Sequence, residues 1–185
     1  MTNLRLGVVG YSTRALAEAA VALRKFTVEA LDAFADQDTL DIARCQVIDR
    51  WPEDILACAG RAPCDAWLLA GGMEHHGRIV AELAQQSPLL GPSRSQLRRL
   101  RSLCTWRRLA RQVPGLAMPA SSRRAGALPD GPRLFKPHRG CGGFAIVDID
   151  PSMDVAPSTE AVISLDIRAA PRGYWQQRVA GRSLG

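Results

Sequence analysis

The chemistry of this chain is concentrated at residues 134–143, Leu-Phe-Lys-Pro-His-Arg-Gly-Cys-Gly-Gly. Lysine is scarce: 22 Arg stand against two Lys, Lys25 and Lys136. Lys136 closes an apolar pair, Leu134 and Phe135, and Gly140, Gly142 and Gly143 follow within a few residues. An ammonium is a compact point charge, and glycine backbone lets N–H groups come close to an anion, so the combination suits a phosphate. The spacing is neither G-x-G-x-x-G nor G-x-x-x-x-G-K-[ST], which excludes the dinucleotide fingerprint and the P-loop. The same residues also fit an ordinary strand–Gly-Gly–strand hairpin, and the turn alone does not decide between the two.

Other residues invite chemistry less strongly. Glu74-His75-His76 has metal-binding residue types, but adjacent histidines project to different sides of a helix or strand, so a surface turn or helix start is expected. His138 reads as an exposed loop histidine, and Arg14 either as a ligand for an anion or as an exposed first-turn arginine. Cys141 becomes a reactive thiol only if a neighbouring arginine lowers its pKa. Trp51, Trp67 and Trp106 fall at helix and strand positions and are expected in the core.

These residues must be positioned by an α/β chain. Residues 4–90 alternate strand and helix signals as βαβ units do. Strands are expected at residues 4–10, 26–34, 44–49, 65–72 and 88–91. A helix over residues 14–25 would take Ser12 or Thr13 as its N-cap and put Leu16, Ala20 and Leu23 on one face. Pro52 suits the first position of the next helix, and another helix is expected over residues 76–86. The result is a Rossmann-like open parallel sheet of four or five strands. The rhythm changes after residue 113, where Pro and Gly cluster. Strand runs at 132–137, 144–149, 161–167 and 173–179 then suggest a small α+β, mostly antiparallel unit. The domain reading is therefore 1–92 for the parallel sheet, 93–115 for an arginine-rich helical linker, and 116–185 for the second unit.

Apolar content of 46% and charge of 23% are ordinary for a globular protein, and 185 residues can bury a sizeable core. No apolar stretch approaches the roughly 18 residues that a membrane span needs, and residues 1–5 lead straight into a strand without a leader pattern. A cytoplasmic location is expected, with no membrane partner. The five cysteines form no C-x-x-C pair, as expected of reduced thiols. The net charge of +6 is unevenly spread: residues 1–89 carry 8 basic and 12 acidic side chains, residues 90–185 carry 16 and 6. Seven arginines between Arg94 and Arg111 could face nucleic acid or an acidic partner. Few aromatics interleave with them, so nucleic acid is disfavoured and a solvated helix face is the simpler reading.

Three stretches resemble the ATP-grasp superfamily. Gly10-Tyr-Ser-Thr-Arg-Ala-Leu-Ala is similar to the opening of the N-terminal domain in bacterial members of undefined substrate. Residues 135–143 are similar to the Lys-Pro strand and glycine-rich lid of the central subdomain, and residues 174–181, Tyr-Trp-Gln-Gln-Arg-Val-Ala-Gly, to the hinge strand. The resemblance implies a Rossmann-like N-terminal sheet followed by a lid subdomain. It implies ATP as ligand, with Lys136 on the α- and β-phosphates and Gly140, Gly142 and Gly143 covering them. Gln176, Gln177, Arg178 and Val179 would line the adenine and ribose pocket, largely through backbone groups. A further basic ATP ligand would fall to Arg101 or Arg107. The intact family form is a carboxylate–amine or carboxylate–thiol ligase that works through an acyl phosphate. The sequence stops at Gly185, before the family's third subdomain, where acidic residues and an asparagine hold Mg²⁺. Mg²⁺ is thus expected only in the complete form, with little turnover from these residues alone and a completing chain or homo-oligomer as partner. A non-enzymatic binding protein that uses residues 94–111 is the alternative. A dehydrogenase is a third reading, resting on Asp32 about 20 residues after the first turn.

Overall fold

The computed structural model of the chain describes residues 4–138, 146–149 and 173–180. The chain divides into two compact units, Met1–Trp106 and Arg107–Gly185.

The first unit is built on four parallel strands, β1 (Leu4–Gly10), β2 (Phe26–Asp32), β3 (Arg44–Val47) and β4 (Ala66–Leu69), in the order β3-β2-β1-β4. Its helices are α1 (Arg14–Ala22), α2 (Gln37–Ile42), α3 (Ile55–Arg61), α4 (Gly77–Gln86) and α5 (Arg94–Leu100). From Leu6 to Gly10, β1 is apolar and buried because both of its faces are covered there. Successive side chains point to opposite faces, so Val8 packs with Ala17, Ala20 and Val28 on the α1 side, and Val9 with Leu31, Ile55, Trp67, Val80 and Leu83 on the other. Burying a side chain such as Leu31 contributes about 1.5–3 kcal/mol. Trp67 lies flat against Gly7: a Cβ there would sit 2.3 Å from the indole, so only glycine lets β1 and β4 carry this core residue.

Several expectations are corrected. Leu23 does not share the buried face of α1. The helix stops at Ala22, Arg24 turns the chain with a positive φ, and Leu23 is 60% exposed. Thr13 occupies the N-cap position of α1, but its hydroxyl donates to Asp32 at 2.6 Å instead of capping the helix. Pro52 lies in the turn before α3, three residues ahead of its start. Residues 88–91 form a single parallel bridge, Trp67 to Leu89, in place of a full strand. Trp106 is 40% exposed, and its indole N–H donates to the Leu100 carbonyl at 2.5 Å. α2 was not foreseen; Asp36 caps it by accepting from the Thr39 N–H at 3.0 Å.

α6 (Leu103–Gln112) spans the division between the units. The second unit carries β5 (Ser121–Ser122), β6 (Arg133–Pro137), β7 (Val147–Ile149) and β8 (Gly173–Gln177) in one sheet of order β5-β8-β6-β7, its pairs antiparallel. β6 and β7 pair antiparallel, from Arg133 opposite Ile149 to Phe135 opposite Val147. The strand expected at 161–167 lies outside the described residues, as do Gly140, Cys141, Gly142 and Gly143.

Candidate functional site

Strand register assembles the site in the second unit. Lys136 pairs with Tyr174, Phe135 with Trp175 and Leu134 with Gln176. Directly opposed residues project to the same face. Lys136, Tyr174 and Gln176 therefore share one face, and Phe135 and Trp175 share the other, where their rings lie 5.2 Å apart. β7 adds Asp148, opposite Leu134, to the lysine face, and β5 adds Ser121, opposite Gln176. His138 stacks 5.9 Å from Tyr174 and belongs to the same polar face. It is exposed and lies just past the end of β6, as expected of a loop histidine.

The four hinge residues take different places. Gln176 is 9% exposed, and its carboxamide donates to the Ser121 hydroxyl at 3.4 Å. Arg178 pairs with Asp148 at 3.1 Å, both side chains about half exposed. Gln177 projects to the Phe135 face. Val179 lies beyond the end of β8, 65% exposed. The backbone N–H groups of Gln177 and Arg178 donate to the carbonyls of Ala120 (2.8 Å) and Pro132 (2.9 Å). Of the two upstream arginines, Arg107 donates to the Ser121 carbonyl in the second unit, whereas Arg101 stands 3.9 Å from Glu74 in the first. The face carries the Lys136 ammonium with the Gln176 amide, the Ser121 hydroxyl, the Tyr174 phenol and the Asp148 carboxylate, the last neutralised by Arg178. Asp148 and Ser121 went unnoticed in the sequence because only the register reveals them.

In the first unit, Asp32 is 1% exposed at the end of β2. Its carboxylate accepts from the Thr13 N–H and hydroxyl, both at 2.6 Å, and from the N–H groups of Phe34 (2.7 Å) and Ala35 (2.9 Å). Burial alone would raise its pKa, but the Thr13 hydroxyl and the three backbone donors hold it below the ordinary value. These bonds occupy both carboxylate oxygens, which removes the support for a ribose-binding Asp32 in a dehydrogenase. Arg14 pairs with Asp38 at 2.6 Å and Glu18 at 3.2 Å. Glu74-His75-His76 is a helix start, yet a half-buried one: the Glu74 carboxylate accepts from the Gly72 N–H at 2.8 Å and lies 3.8 Å from His75.

Along the carboxyl ends of these strands the rings form a chain. Tyr11 meets Phe34 at 5.0 Å and Trp51 at 5.2 Å, and Trp51 meets His76 at 5.8 Å, all edge to face. The Tyr11 N–H donates to the Gly71 carbonyl at 2.7 Å, joining the turns that follow β1 and β4.

No protein-family model matches the sequence, and no curated protein is similar to it in sequence. Solved structures are similar in fold. A carboxyaminoimidazole ribonucleotide synthase from Aspergillus clavatus, complexed with ATP, is 17% identical with a TM-score of 0.65, over 96% of this chain and 47% of that one. An N5-carboxyaminoimidazole synthetase from Staphylococcus aureus, complexed with ADP, is 15% identical with a TM-score of 0.62, over 95% and 48%. An L-amino acid ligase from Bacillus licheniformis is 17% identical with a TM-score of 0.56, over 95% and 44%. The chain spans about half the length of these structures.

Proposed function

We propose that this chain, which has the fold of the N-terminal and central portions of ATP-grasp enzymes, is the ATP-binding part of a carboxylate–amine or carboxylate–thiol ligase. The observation that carries this reading is the pairing of β6 with β8, which sets Lys136 and Gln176 on one face. Two of the similar structures are complexes with ATP and ADP. In this reading Lys136 binds the α- and β-phosphates, and Gly140, Gly142 and Gly143 close over them. Gln176, Gln177, Arg178 and Val179 border the adenine and ribose. With the Gln177 and Arg178 N–H groups already bonded, contacts to the base fall to other backbone groups of this segment.

In the complete enzyme a substrate carboxylate attacks the γ-phosphorus and ADP leaves. An amine or thiol then displaces phosphate from the acyl phosphate. Among the described residues no three His, Cys, Asp or Glu side chains group as a metal site. The described residues by themselves do not fit Mg²⁺.

Isothermal titration tests the site. Loss of a charge-assisted contact contributes about 1.5–3 kcal/mol, so Lys136→Ala is expected to weaken ATP binding at least about tenfold. Binding by the wild type that persists unchanged in Lys136→Ala overturns the role of that lysine.

A further inference from the structure

The first unit carries a second feature, independent of Lys136 and β8. Strand order β3-β2-β1-β4 means that the chain runs outward from β1 through β2 to β3 and then returns to the other side of β1. Open parallel sheets bind ligands outside the carboxyl ends of the strands, at such a reversal. Here that edge is aromatic. Phe34, Tyr11, Trp51 and His76 follow β2, β1, β3 and β4 respectively and touch in a continuous edge-to-face series. Phe34 is 62% exposed and Tyr11 46%, so two ring surfaces stay open to a ligand although each is fixed by its neighbour. Gly72 packs against the same rings: at φ 94° its α-carbon lies so close that a Cβ would stand 3.0 Å from Tyr11 and 3.2 Å from Trp51.

The electrostatics are one-sided. The Asp32 carboxylate, bonded to the turns that carry Tyr11 and Phe34, forms no ion pair among the described residues. Its four hydrogen bonds come from the turns that carry those two rings. The guanidinium groups of neighbouring elements face carboxylates of their own: Arg14 with Asp38, Arg50 with Asp54, Arg101 with Glu74. Ring faces are negative, and a cation placed over them is attracted by the quadrupole. The buried Asp32 carboxylate in the adjoining turns adds to that attraction. A neutral apolar ligand would gain nothing from it, and an anion would be repelled.

We propose that this edge is a binding site for a planar, cationic nitrogen heterocycle, seated on the open faces of Phe34 and Tyr11 beside Gly72. The probe is 1-methylnicotinamide, with nicotinamide as the same ring without charge. Both are titrated into the 185-residue chain and followed by the NMR resonances of Tyr11, Phe34, Trp51 and Gly72. The cationic ring is expected to shift these resonances saturably, with a dissociation constant of roughly 1 mM. Nicotinamide is expected to bind about fivefold more weakly. Phe34→Leu keeps apolar volume at an exposed position while removing the π face, and is expected to lose a similar factor; Lys136→Ala is expected to bind the probe as the wild type does. Equal affinity for the two rings, undiminished binding by Phe34→Leu, or no shifts at these residues up to about 10 mM, tenfold above the expected constant, each overturns the proposal. Because ATP binding is read at Lys136, failure of either site leaves the other standing.

Discussion

A single carboxylate, Asp32, ties the first turn of the chain to the end of β2, and its protonation is linked to folding. Its pKa is lowered in the folded state, so the folded form binds the proton more weakly than the unfolded chain does. The resulting stability is fully present above the unfolded value of about 3.9. It is lost as the pH falls through the lower folded value. Asp32→Asn is expected to lose about 1–3 kcal/mol near neutral pH and to show a flatter stability profile below about pH 4. Urea denaturation across that range reads it, and parallel profiles for the two proteins would refute the linkage. The thiols form a second contrast. Burial pushes Cys45 and Cys64 up to about 11, with nearby carboxylates adding to it, Asp32 in the case of Cys45 and Glu29 in that of Cys64. Cys104 is exposed. A maleimide at neutral pH is therefore expected to modify Cys104 well before Cys45, Cys58 or Cys64. Peptide mass spectrometry against time reads the order, and early modification of Cys45 would contradict it.

The elements differ in how far the sequence announces them. β1, β2 and β4 stand out because parallel strands covered on both faces are largely apolar, even with Arg5 in β1 and Thr27 and Glu29 in β2. α2 is six residues long and largely polar, too short for any periodicity to emerge, and only its Asp36 cap marks it. β5 is two serines, which become a strand solely by pairing with β8. The candidate site repeats the lesson. Lys136 and the segment around Gln176 are each conspicuous, and alternation along a strand is visible in both. Their register is not, and a slip of one residue would send Lys136 and Gln176 to opposite faces. Thr13 looked like a helix cap because its hydroxyl can serve either partner; the buried carboxylate offers the stronger, charge-assisted bond. Close contact between elements gives a sharper test. Gly7→Ala would drive a methyl into Trp67, and overpacking of this kind costs about 1–3 kcal/mol. Chemical denaturation reads the loss, and an alanine variant as stable as the wild type would mean that Trp67 can move aside.

Across the whole molecule the charge is polarised, with an excess of acidic side chains in residues 1–89 and of basic ones in residues 90–185. The arginines of α5 and α6 are spread along two helices, and Arg101 and Arg107 engage Glu74 and Ser121. This stretch is expected to bind RNA no better than the non-specific range of roughly 10⁻⁴–10⁻⁶ M at physiological salt. Submicromolar binding lost on replacing Arg98, Arg99, Arg108 and Arg111 by Gln would favour the binding-protein reading instead. The Asp32 clasp has a kinetic corollary. The amides of Thr13, Phe34 and Ala35 lie in turns, where hydrogen exchange is ordinarily fast, but each is bonded to the same carboxylate. They should exchange with deuterium as slowly as the amides of β1 and β2, so the rim beside the aromatic rings opens only when the sheet itself does.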